Sequence, residues 1–144
     1  MYLKREKSDL EHQKQHLYHY WRISRMITSD TVLKAFLAVP RELFVDPSYR
    51  DQSYADHPLP ISCDQTISQP TTVMLMLQLL KILRGQRVLE IGTGSGYNAA
   101  LIAELTGQVV TVERHLKLVK IAHENLKKAG YQDVFVVKGD GKEG

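Results

Sequence analysis

Apolar residues in the first part of the chain recur at the three- and four-residue spacing of one α-helix face. Leu10, Leu17 and Trp21 share such a face, and Ser8 or Asp9 just before them is a candidate N-cap. The pattern therefore predicts a first helix that starts near residue 8 and buries one of its sides.

A second predicted helix begins at Ser29 or Asp30, either of which can cap it. Its apolar positions, which recur at helical spacing until Pro40 ends the run, are Val32, Phe36 and Val39. Residues 41–69 have no regular period, so loops and short turns are expected there. Pro70 suits the first turn of a third helix, "PTTVMLMLQLLKIL", which is apolar almost all round and is expected to be buried between layers.

From residue 85 the pattern changes to short β-branched runs separated by helical segments. The predicted strands are "RVLEIG", "QVVTVE" and "DVFVVKGDG". The predicted helices between them are "YNAALIAELTG" and "HLKLVKIAHENLKKAG", each closed by a glycine. Alternating strands and helices of these lengths indicate right-handed crossovers and a parallel sheet. The expected fold class is therefore α/β, with the first three strands of a doubly wound sheet preceded by a helical N-terminal extension.

The chain is expected to form one structural domain with two parts, residues 1–84 and residues 85–144. The first part is helical and irregular, whereas the second has the alternating pattern. A strand order of 3-2-1 would leave the first strand as an open edge, which favours self-association or pairing with a partner chain. Because only "GDGKEG" follows the third strand, we expect a domain that is incomplete on its C-terminal side.

Composition narrows the class of protein. The 144 residues are 43% hydrophobic and 24% charged with a net charge of +3, proportions typical of a soluble globular protein. No stripe of clustered basic and aromatic residues indicates a nucleic-acid surface. The longest apolar run, residues 73–83, is interrupted by Gln78 and Lys81 and is shorter than the roughly 20 residues that span a bilayer. The six histidines form no metal-ligand pattern. We therefore expect no membrane, nucleic-acid or metal partner.

The single cysteine, Cys63, cannot form an internal disulfide, which favours a reducing compartment. No charged and then apolar signal segment opens the chain. A cytoplasmic location is therefore expected.

The strongest local motif is the turn "VLEIGTGSGYNAA", in which Gly92, Gly94 and Gly96 follow a strand and open a helix. A dinucleotide-binding fingerprint would have its third glycine at position 97, which is Tyr97 here, so a nicotinamide-dependent oxidoreductase is disfavoured. Glu90 precedes the first glycine by two residues, and a carboxylate there suits a cationic ligand better than a pyrophosphate. The pattern E-x-G-x-G-x-G resembles the first motif of Rossmann-like S-adenosylmethionine-dependent methyltransferases.

Two further acids end the next two predicted strands. Glu113 ends the second strand, where a carboxylate can accept hydrogen bonds from ribose hydroxyls, and Asp140 ends the third, where it can meet an adenine edge. Open α/β sheets bind ligands at these carboxyl ends. The predicted cofactor is S-adenosylmethionine, and its predicted ligand residues are Glu90, Gly92, Thr93, Gly94, Ser95, Gly96, Glu113, Asp140 and Gly141.

The upstream half carries more specific motifs. These are "VPRxxFV" at residues 39–45, "YRDxxY" at residues 49–54, "PLPI", and "QTISQP" at residues 65–70. In this order, and followed by the glycine turn, "VTVER" and "GDG", they closely resemble the protein-L-isoaspartate O-methyltransferases. The resemblance covers roughly residues 24–141.

The resemblance implies a protein repair enzyme. Such an enzyme transfers the methyl group of S-adenosylmethionine to the free carboxylate of an L-isoaspartyl residue in a damaged protein. The ester then collapses to a succinimide that can reopen as aspartate. The resemblance also implies that Ser68 is the catalytic residue and that Thr66, Ile67 and Gln69 bind the substrate.

Physical chemistry makes these roles reasonable. A carboxylate is ionised far above its pKa of about 4 and is already a nucleophile, so no strong base is needed. The reaction needs one carboxylate oxygen held in line with the methyl group. Neutral donors from Thr66, Ser68 and the helix start at Pro70 can hold the carboxylate without neutralising it. The alternative role of Ser68 is to cap the following helix.

The segment before "QTISQP" differs from the family pattern. The family commonly has glycines before "QTISQP", whereas this chain has Ser62, Cys63 and Asp64. A side chain there limits positive φ, and Asp64 adds negative charge near a site for an anion.

A catalytically inactive derivative that binds cofactor or a partner chain is the main alternative to a repair methyltransferase. A methyltransferase acting on RNA is disfavoured because "QTISQP" is not a nucleic-acid signature.

Overall fold

Five helices and two small sheets make up the described part of the chain. The structure is a computed structural model that describes residues 2–143, with side chains described from residue 6 onward. The helices are α1 (Tyr2–Ile23), α2 (Asp30–Ala38), α3 (Pro70–Leu80), α4 (Tyr97–Thr106) and α5 (Leu116–Ala129). The strands are β1 (Leu59–Pro60), β2 (Thr66–Ile67), β3 (Arg87–Ile91), β4 (Gln108–Glu113) and β5 (Phe135–Lys138). Short 3-10 turns span Arg41–Leu43 and Pro47–Gln52. None of the helices within residues 2–143 is long and apolar enough to cross a membrane.

Helix α1 buries the predicted face but begins earlier than predicted. Leu10, Leu17 and Trp21 are all buried, which confirms the helical pattern. Ser8 and Asp9 lie inside the helix and cap nothing, so that part of the prediction is wrong. The upstream segment is rich in Leu, Lys, Arg and Glu, which favour helix and let it extend beyond the expected cap.

Helix α2 is capped as predicted and joins the two parts of the chain. The Ser29 hydroxyl accepts the Val32 N–H at 3.4 Å, and the helix ends just before Val39 and Pro40. The Phe36 ring packs edge-on against Trp21 of α1. Helix α2 also packs against α3 and α4, so one hydrophobic core runs through residues from both parts.

Helix α3 starts at Pro70 as predicted, yet it is buried on one side only. Val73, Met74 and Leu77 lie in the core. On the other side Leu79 is 77% exposed, and Met76 and Leu80 are also exposed. The expectation of burial between layers is therefore wrong, because no described element covers that outer face.

The three-stranded sheet is parallel with the order β3-β4-β5, as the sequence predicted. Helices α4 and α5 cover one face, where the β4 residues Val109, Thr111 and Glu113 are buried. The opposite face carries apolar side chains in register across the strands, among them Leu89, Val110 and Phe135. Leu89 and Phe135 are 63% and 66% exposed. Within residues 2–143 this face is uncovered and the outer edge of β3 is unpaired.

Candidate functional site

The glycine turn between β3 and α4 forms the centre of the site. Gly92 and Gly96 both have φ of +92°, a backbone conformation that side chains disfavour. A Cβ on Gly96 would lie 3.2 Å from Leu126 of α5, so glycine here also permits close packing. Around Gly92 nothing lies within 4 Å of an added Cβ, so this side of the turn is open to a ligand.

Glu90 is held by a buried hydrogen-bond network beside the turn. Its carboxylate accepts the Thr111 hydroxyl at 2.7 Å and the side-chain amide of Asn98. The Thr111 hydroxyl also bonds the Thr93 hydroxyl at 2.7 Å. Burial raises the pKa of Glu90 above its ordinary value, against the opposing effect of the two hydrogen bonds. The network fixes this carboxylate in one orientation.

Two of the predicted cofactor residues have side chains that turn inward. Thr93 and Ser95 are each only 4% exposed. The Thr93 hydroxyl is engaged with Thr111, and the Ser95 carbonyl accepts the Asn125 side-chain amide at 3.0 Å. These two residues therefore shape the turn through groups that already have partners inside the fold.

Glu113 ties the end of β4 to the glycine turn. One carboxylate oxygen accepts the Gly94 N–H at 3.1 Å, and the other accepts the His115 N–H at 2.9 Å. The side chain is 5% exposed. Glu113, which the sequence assigned to a ribose, thus holds the glycine turn in place in this structure. A carboxylate has further acceptor capacity beyond these two bonds.

The loop after β5 closes a second side of the site. Asp140 is exposed, and its carboxylate accepts the Lys142 N–H at 3.0 Å. A Cβ on Gly141 would overlap the Ile91 side chain, so glycine lets this loop approach the end of β3. A cleft of about 290 Å³ is lined by Gly92, Glu113, Asp140 and Gly141 together with neighbouring residues.

The segment with the "QTISQP" motif forms a hairpin beside this cleft. Strands β1 and β2 are antiparallel, with Leu59 opposite Ile67. At the tip, Cys63 and Asp64 have φ of +62° and +53°, the left-handed conformation in which glycine is favoured. The chain therefore keeps a turn suited to glycine while carrying side chains there, at a cost of roughly 1–2 kcal/mol for a residue such as cysteine.

Ser68 does not cap α3. Its side chain is exposed, and within residues 6–143 its hydroxyl makes no hydrogen bond. Asp56 caps the helix, accepting the Thr71 N–H at 2.9 Å and the Thr71 hydroxyl at 2.6 Å. That hydroxyl accepts Trp21 Nε1–H at 2.8 Å. The capping alternative for Ser68 is therefore wrong, and the Thr71 N–H at the start of α3 is not free for a substrate.

A second cleft brings the substrate motif and the cofactor motif together. It measures about 360 Å³ and has Thr66, Ile67 and Ser68 on one side. Its other side is the run from Val88 to Ser95, which includes Glu90 and the glycine turn. Both clefts share Ile91 and Gly92. Of the predicted site residues, Gln69 and Gly96 line neither cleft.

Sequence reasoning missed three residues that support the site. Asp56 acts on a helix that starts fourteen residues later in the chain, so no local pattern marks it as a cap. Asn98 and Thr111 hold Glu90, but each looks like an ordinary polar residue of a helix or strand. A polar residue facing inward in the middle of β4 was the one available signal for Thr111.

A glycine turn and three acids at the carboxyl ends of parallel strands are features of the Rossmann-like methyltransferase fold class. Within that class the chain belongs to the protein-L-isoaspartate(D-aspartate) O-methyltransferase family, whose family model matches residues 12–144.

Comparison with individual proteins gives the same family. The chain is 52% identical over 127 residues to a protein-L-isoaspartate O-methyltransferase of Aeropyrum pernix, covering 85% of this chain and 49% of that one. It is 48% identical over 120 residues to one of Koribacter versatilis, covering 83% of this chain and 54% of that one. The chain thus spans about half the length of the curated relatives it matches.

Solved structures of the family share the fold. A protein-L-isoaspartate O-methyltransferase structure matches 89% of this chain and 42% of that chain, with a TM-score of 0.74 and 36% identity. A second, from Plasmodium falciparum and described as a complex with S-adenosyl-L-homocysteine, matches 85% of this chain and 60% of that one. Its TM-score is 0.74 and its identity 27%.

Proposed function

We propose that this chain provides the cofactor site and the substrate loop of a protein-L-isoaspartate O-methyltransferase. The enzyme would transfer a methyl group from S-adenosylmethionine to the free carboxylate of L-isoaspartyl residues in damaged proteins. One observation carries the proposal: the 360 Å³ cleft has the substrate motif on one side and the cofactor motif on the other. Membership of the family supports the same reaction.

The residues around the turn suit S-adenosylmethionine as cofactor. The open side of Gly92 leaves room for a ligand against the backbone, and the Glu90 carboxylate suits a cationic one. Glu113 and Asp140 are the acceptors proposed for ribose and adenine, beside the backbone of Gly94 and Gly141. When bound, this cofactor supplies a methyl group made electrophilic by its sulfonium. The bound S-adenosyl-L-homocysteine of the Plasmodium relative supports this choice.

Ser68 is the residue that we propose to hold the substrate carboxylate. Its hydroxyl is exposed in the cleft and has no competing hydrogen bond within residues 6–143. Thr66 on the same side of the cleft offers a second neutral donor. Neutral donors orient an ionised carboxylate without removing its nucleophilic charge, and overly strong ones would stabilise the ground state and slow attack. Ile67 and Gln69 are assigned to the substrate side as its remaining members.

The decisive experiment uses S-adenosylmethionine labelled in its methyl group. The chain is incubated with an isoaspartyl peptide and, in parallel, with the same peptide containing normal aspartate. We expect label in the isoaspartyl peptide alone, because its free carboxylate is bonded directly to Cα and its main chain is one methylene longer, so the two peptides present their carboxylates in different positions relative to the backbone. Label in neither peptide, with S-adenosylhomocysteine binding retained in calorimetry, would contradict the proposed transfer.

A second candidate function is cofactor or partner binding without catalysis. It is favoured by the uncovered sheet face, where Leu89 and Phe135 are exposed, and by the unpaired edge of β3 within residues 2–143. Such a surface favours self-association or a partner chain. Light scattering of the purified chain, measured beside the labelling experiment, separates an inactive assembly from an active enzyme.

We also propose a cytoplasmic location for the protein and separate roles for the two parts of the chain. Cys63 is a free thiol, which suits a reducing compartment. Residues 1–84 would carry the substrate side of the site, and residues 85–144 would form the first half of the cofactor-binding sheet.

A further inference from the structure

A buried arginine connects the substrate loop with the glycine turn. Arg41 begins the 3-10 turn Arg41–Leu43 and is 0% exposed. Its Nε–H donates to the Ser53 carbonyl at 2.7 Å, and its Nη2–H donates to the Ser68 carbonyl at 2.8 Å. The guanidinium carbon lies 4.8 Å from the centre of the Tyr97 ring. One side chain therefore contacts both the residue proposed to hold the substrate and the first residue of α4.

Within the described residues Arg41 forms no direct ion pair, although the more distant charge of Asp56 favours its charged form. Within residues 6–143 no acidic oxygen lies within 4.0 Å of the guanidinium, and Nη1 is buried without a hydrogen-bond partner. The neighbouring acid, Glu42, instead accepts the Tyr54 hydroxyl at 2.6 Å. An unpaired charge in a protein core is strongly unfavourable. Arginine nevertheless stays charged, although burial lowers the pKa of Arg41 from its ordinary value.

The hydrogen bond to Ser68 fixes the backbone that presents the Ser68 side chain. It constrains the peptide plane between Ser68 and Gln69, and so restricts the backbone from which the Ser68 side chain projects. The Ser68 hydroxyl has no hydrogen bond of its own within residues 6–143, so its position depends on the backbone, which this bond restrains between β2 and the start of α3. The guanidinium also lies close to the ring of Tyr97, which follows directly after the glycine turn.

We propose that Arg41 is a positioning residue for the substrate carboxylate: it orients Ser68 through the Ser68 carbonyl, and its positive charge, which forms no direct ion pair within residues 6–143, favours an anion in the adjacent cleft. This inference rests on the proposed function. Lysine can supply only the charge in this role, because an ammonium lacks the planar fork with which the guanidinium donates to two carbonyls in fixed directions.

The test compares Arg41→Met, Arg41→Lys and the wild type. Arg50→Met is the matched control, since Arg50 is a surface arginine that pairs with Glu6 at 3.7 Å outside both clefts. Each variant is measured for amide hydrogen exchange along the chain, for S-adenosylhomocysteine Kd, and for isoaspartyl-peptide Kd in the presence of S-adenosylhomocysteine.

We expect Arg41→Met to raise exchange within residues 61–73 and to weaken peptide binding at least tenfold. Its S-adenosylhomocysteine Kd is expected to stay within twofold of the wild-type value. Arg41→Lys should recover part of the peptide affinity, because it keeps the charge, while exchange in residues 61–73 stays raised. The Arg50→Met control should match the wild type in all three measurements.

Several results would overturn the inference. Unchanged peptide affinity in folded Arg41→Met would do so, and so would raised exchange throughout the chain with parallel loss of both ligands, which indicates a purely structural role. Should Arg41→Met fail to fold, Arg41→Lys decides by the same criteria. A wild-type chain that binds S-adenosylhomocysteine but no isoaspartyl peptide contradicts the proposed function instead. Amide hydrogen exchange of Arg41→Met then tests the role of Arg41. A rise confined to residues 61–73 supports the positioning role, and no rise refutes it.

Discussion

Asp56 caps helix α3 by accepting two hydrogen bonds from Thr71, one from its N–H at 2.9 Å and one from its hydroxyl at 2.6 Å. Because the same hydroxyl accepts Trp21 Nε1–H, the cap joins α1, the loop before β1 and α3. The helix start is thereby satisfied without Ser68, and the Ser68 hydroxyl is left for another role. Substitution of Asp56 should therefore lower the stability of the fold, whereas substitution of Ser68 should lower the activity.

We predict that Asp56→Ala destabilises the fold by about 2 kcal/mol, since it removes a cap and leaves the Thr71 N–H and hydroxyl without their acceptor. Ser68→Ala should change the free energy of unfolding by less than about 0.5 kcal/mol, as for an ordinary surface substitution. Urea unfolding of both variants checks this. Equal losses in the two variants would show that Ser68 supports the helix after all.

Ser68→Ala is expected to lower methyl transfer to an isoaspartyl peptide by on the order of 10- to 100-fold, the effect of losing a hydrogen bond to a charged group. Ser48→Ala, which removes an exposed hydroxyl in the turn Pro47–Gln52, is the matched control and should keep wild-type turnover. The measurement is the initial rate of label transfer. A Ser68→Ala rate equal to that of the control would refute the assignment.

The raised pKa of Glu90 predicts a pH dependence of stability. The folded chain keeps this proton to higher pH than the unfolded chain, so Glu90 makes the fold progressively less stable as pH rises from about 4.5 through its raised pKa. Glu90→Gln removes that dependence, and Asn98 can turn its amide because its Oδ1 has no partner. The stability of Glu90→Gln relative to wild type should therefore rise with pH across this window.

Urea unfolding between pH 4 and pH 8 tests this prediction, with the lowest pH as internal reference. The sign of the trend decides: a relative stability that falls with increasing pH would mean that burial does not dominate the environment of Glu90.

The same substitution should weaken the cofactor. A neutral amide at position 90 loses a charge-assisted interaction with a cationic ligand, worth roughly 1.5–3 kcal/mol. We therefore expect Glu90→Gln to raise the Kd for S-adenosylmethionine at least tenfold, measured by calorimetry. Glu104→Gln, on the exposed side of α4, serves as the control. An unchanged Kd in Glu90→Gln would remove Glu90 from the cofactor site.

Asp64 provides a prediction about the substrate side. It lies at the tip of the β1–β2 hairpin, two residues before Thr66, and its charge opposes an anionic substrate. Asparagine tolerates the left-handed conformation there, so Asp64→Asn removes the charge and keeps the turn. We expect isoaspartyl-peptide binding to tighten a few-fold at low salt and less at high salt. Weaker binding at low salt would mean that Asp64 helps to hold the peptide.

The sequence allowed prediction of most features that depend on local periodicity or on a motif. The three strands of the parallel sheet, the crossover helices and the sheet order followed from alternating patterns, and the Ser29 cap followed from its position before an apolar run. The short hairpin of β1 and β2 was not predicted, because two-residue strands are too short to show a period. Nor was the exposed outer side of α3 predicted, because residues such as Leu79 have the same pattern whether or not another layer covers them. The start of α1 was misplaced because a capping residue inside a strong helix former does not stop the helix.

The residues of the candidate site divide in the same way, into those marked by a local motif and those that act across the fold. Residues in contiguous motifs could be proposed from the sequence: Glu90 from its spacing to the glycine turn, and Ser68 from the resemblance of "QTISQP" to the protein-L-isoaspartate O-methyltransferases. Residues that act across the fold, such as Asp56 and Arg41, carry no local signal for their partners, since those partners lie fifteen and twenty-seven residues away. Their roles depend on tertiary packing, which no single segment encodes.

The two clefts share Ile91 and Gly92 as a common wall. Because the proposed cofactor residues line both clefts and Ser68 lines one of them, the proposed cofactor and a peptide at Ser68 would be neighbours, and their binding equilibria would share a coupling free energy. Coupling of this kind is reciprocal: whatever factor the cofactor contributes to peptide affinity, the peptide must return to cofactor affinity. In the proposed enzyme, a peptide that binds more tightly in the presence of S-adenosylhomocysteine must therefore tighten S-adenosylhomocysteine binding by the same factor, and a peptide that binds more weakly must weaken it by the same factor.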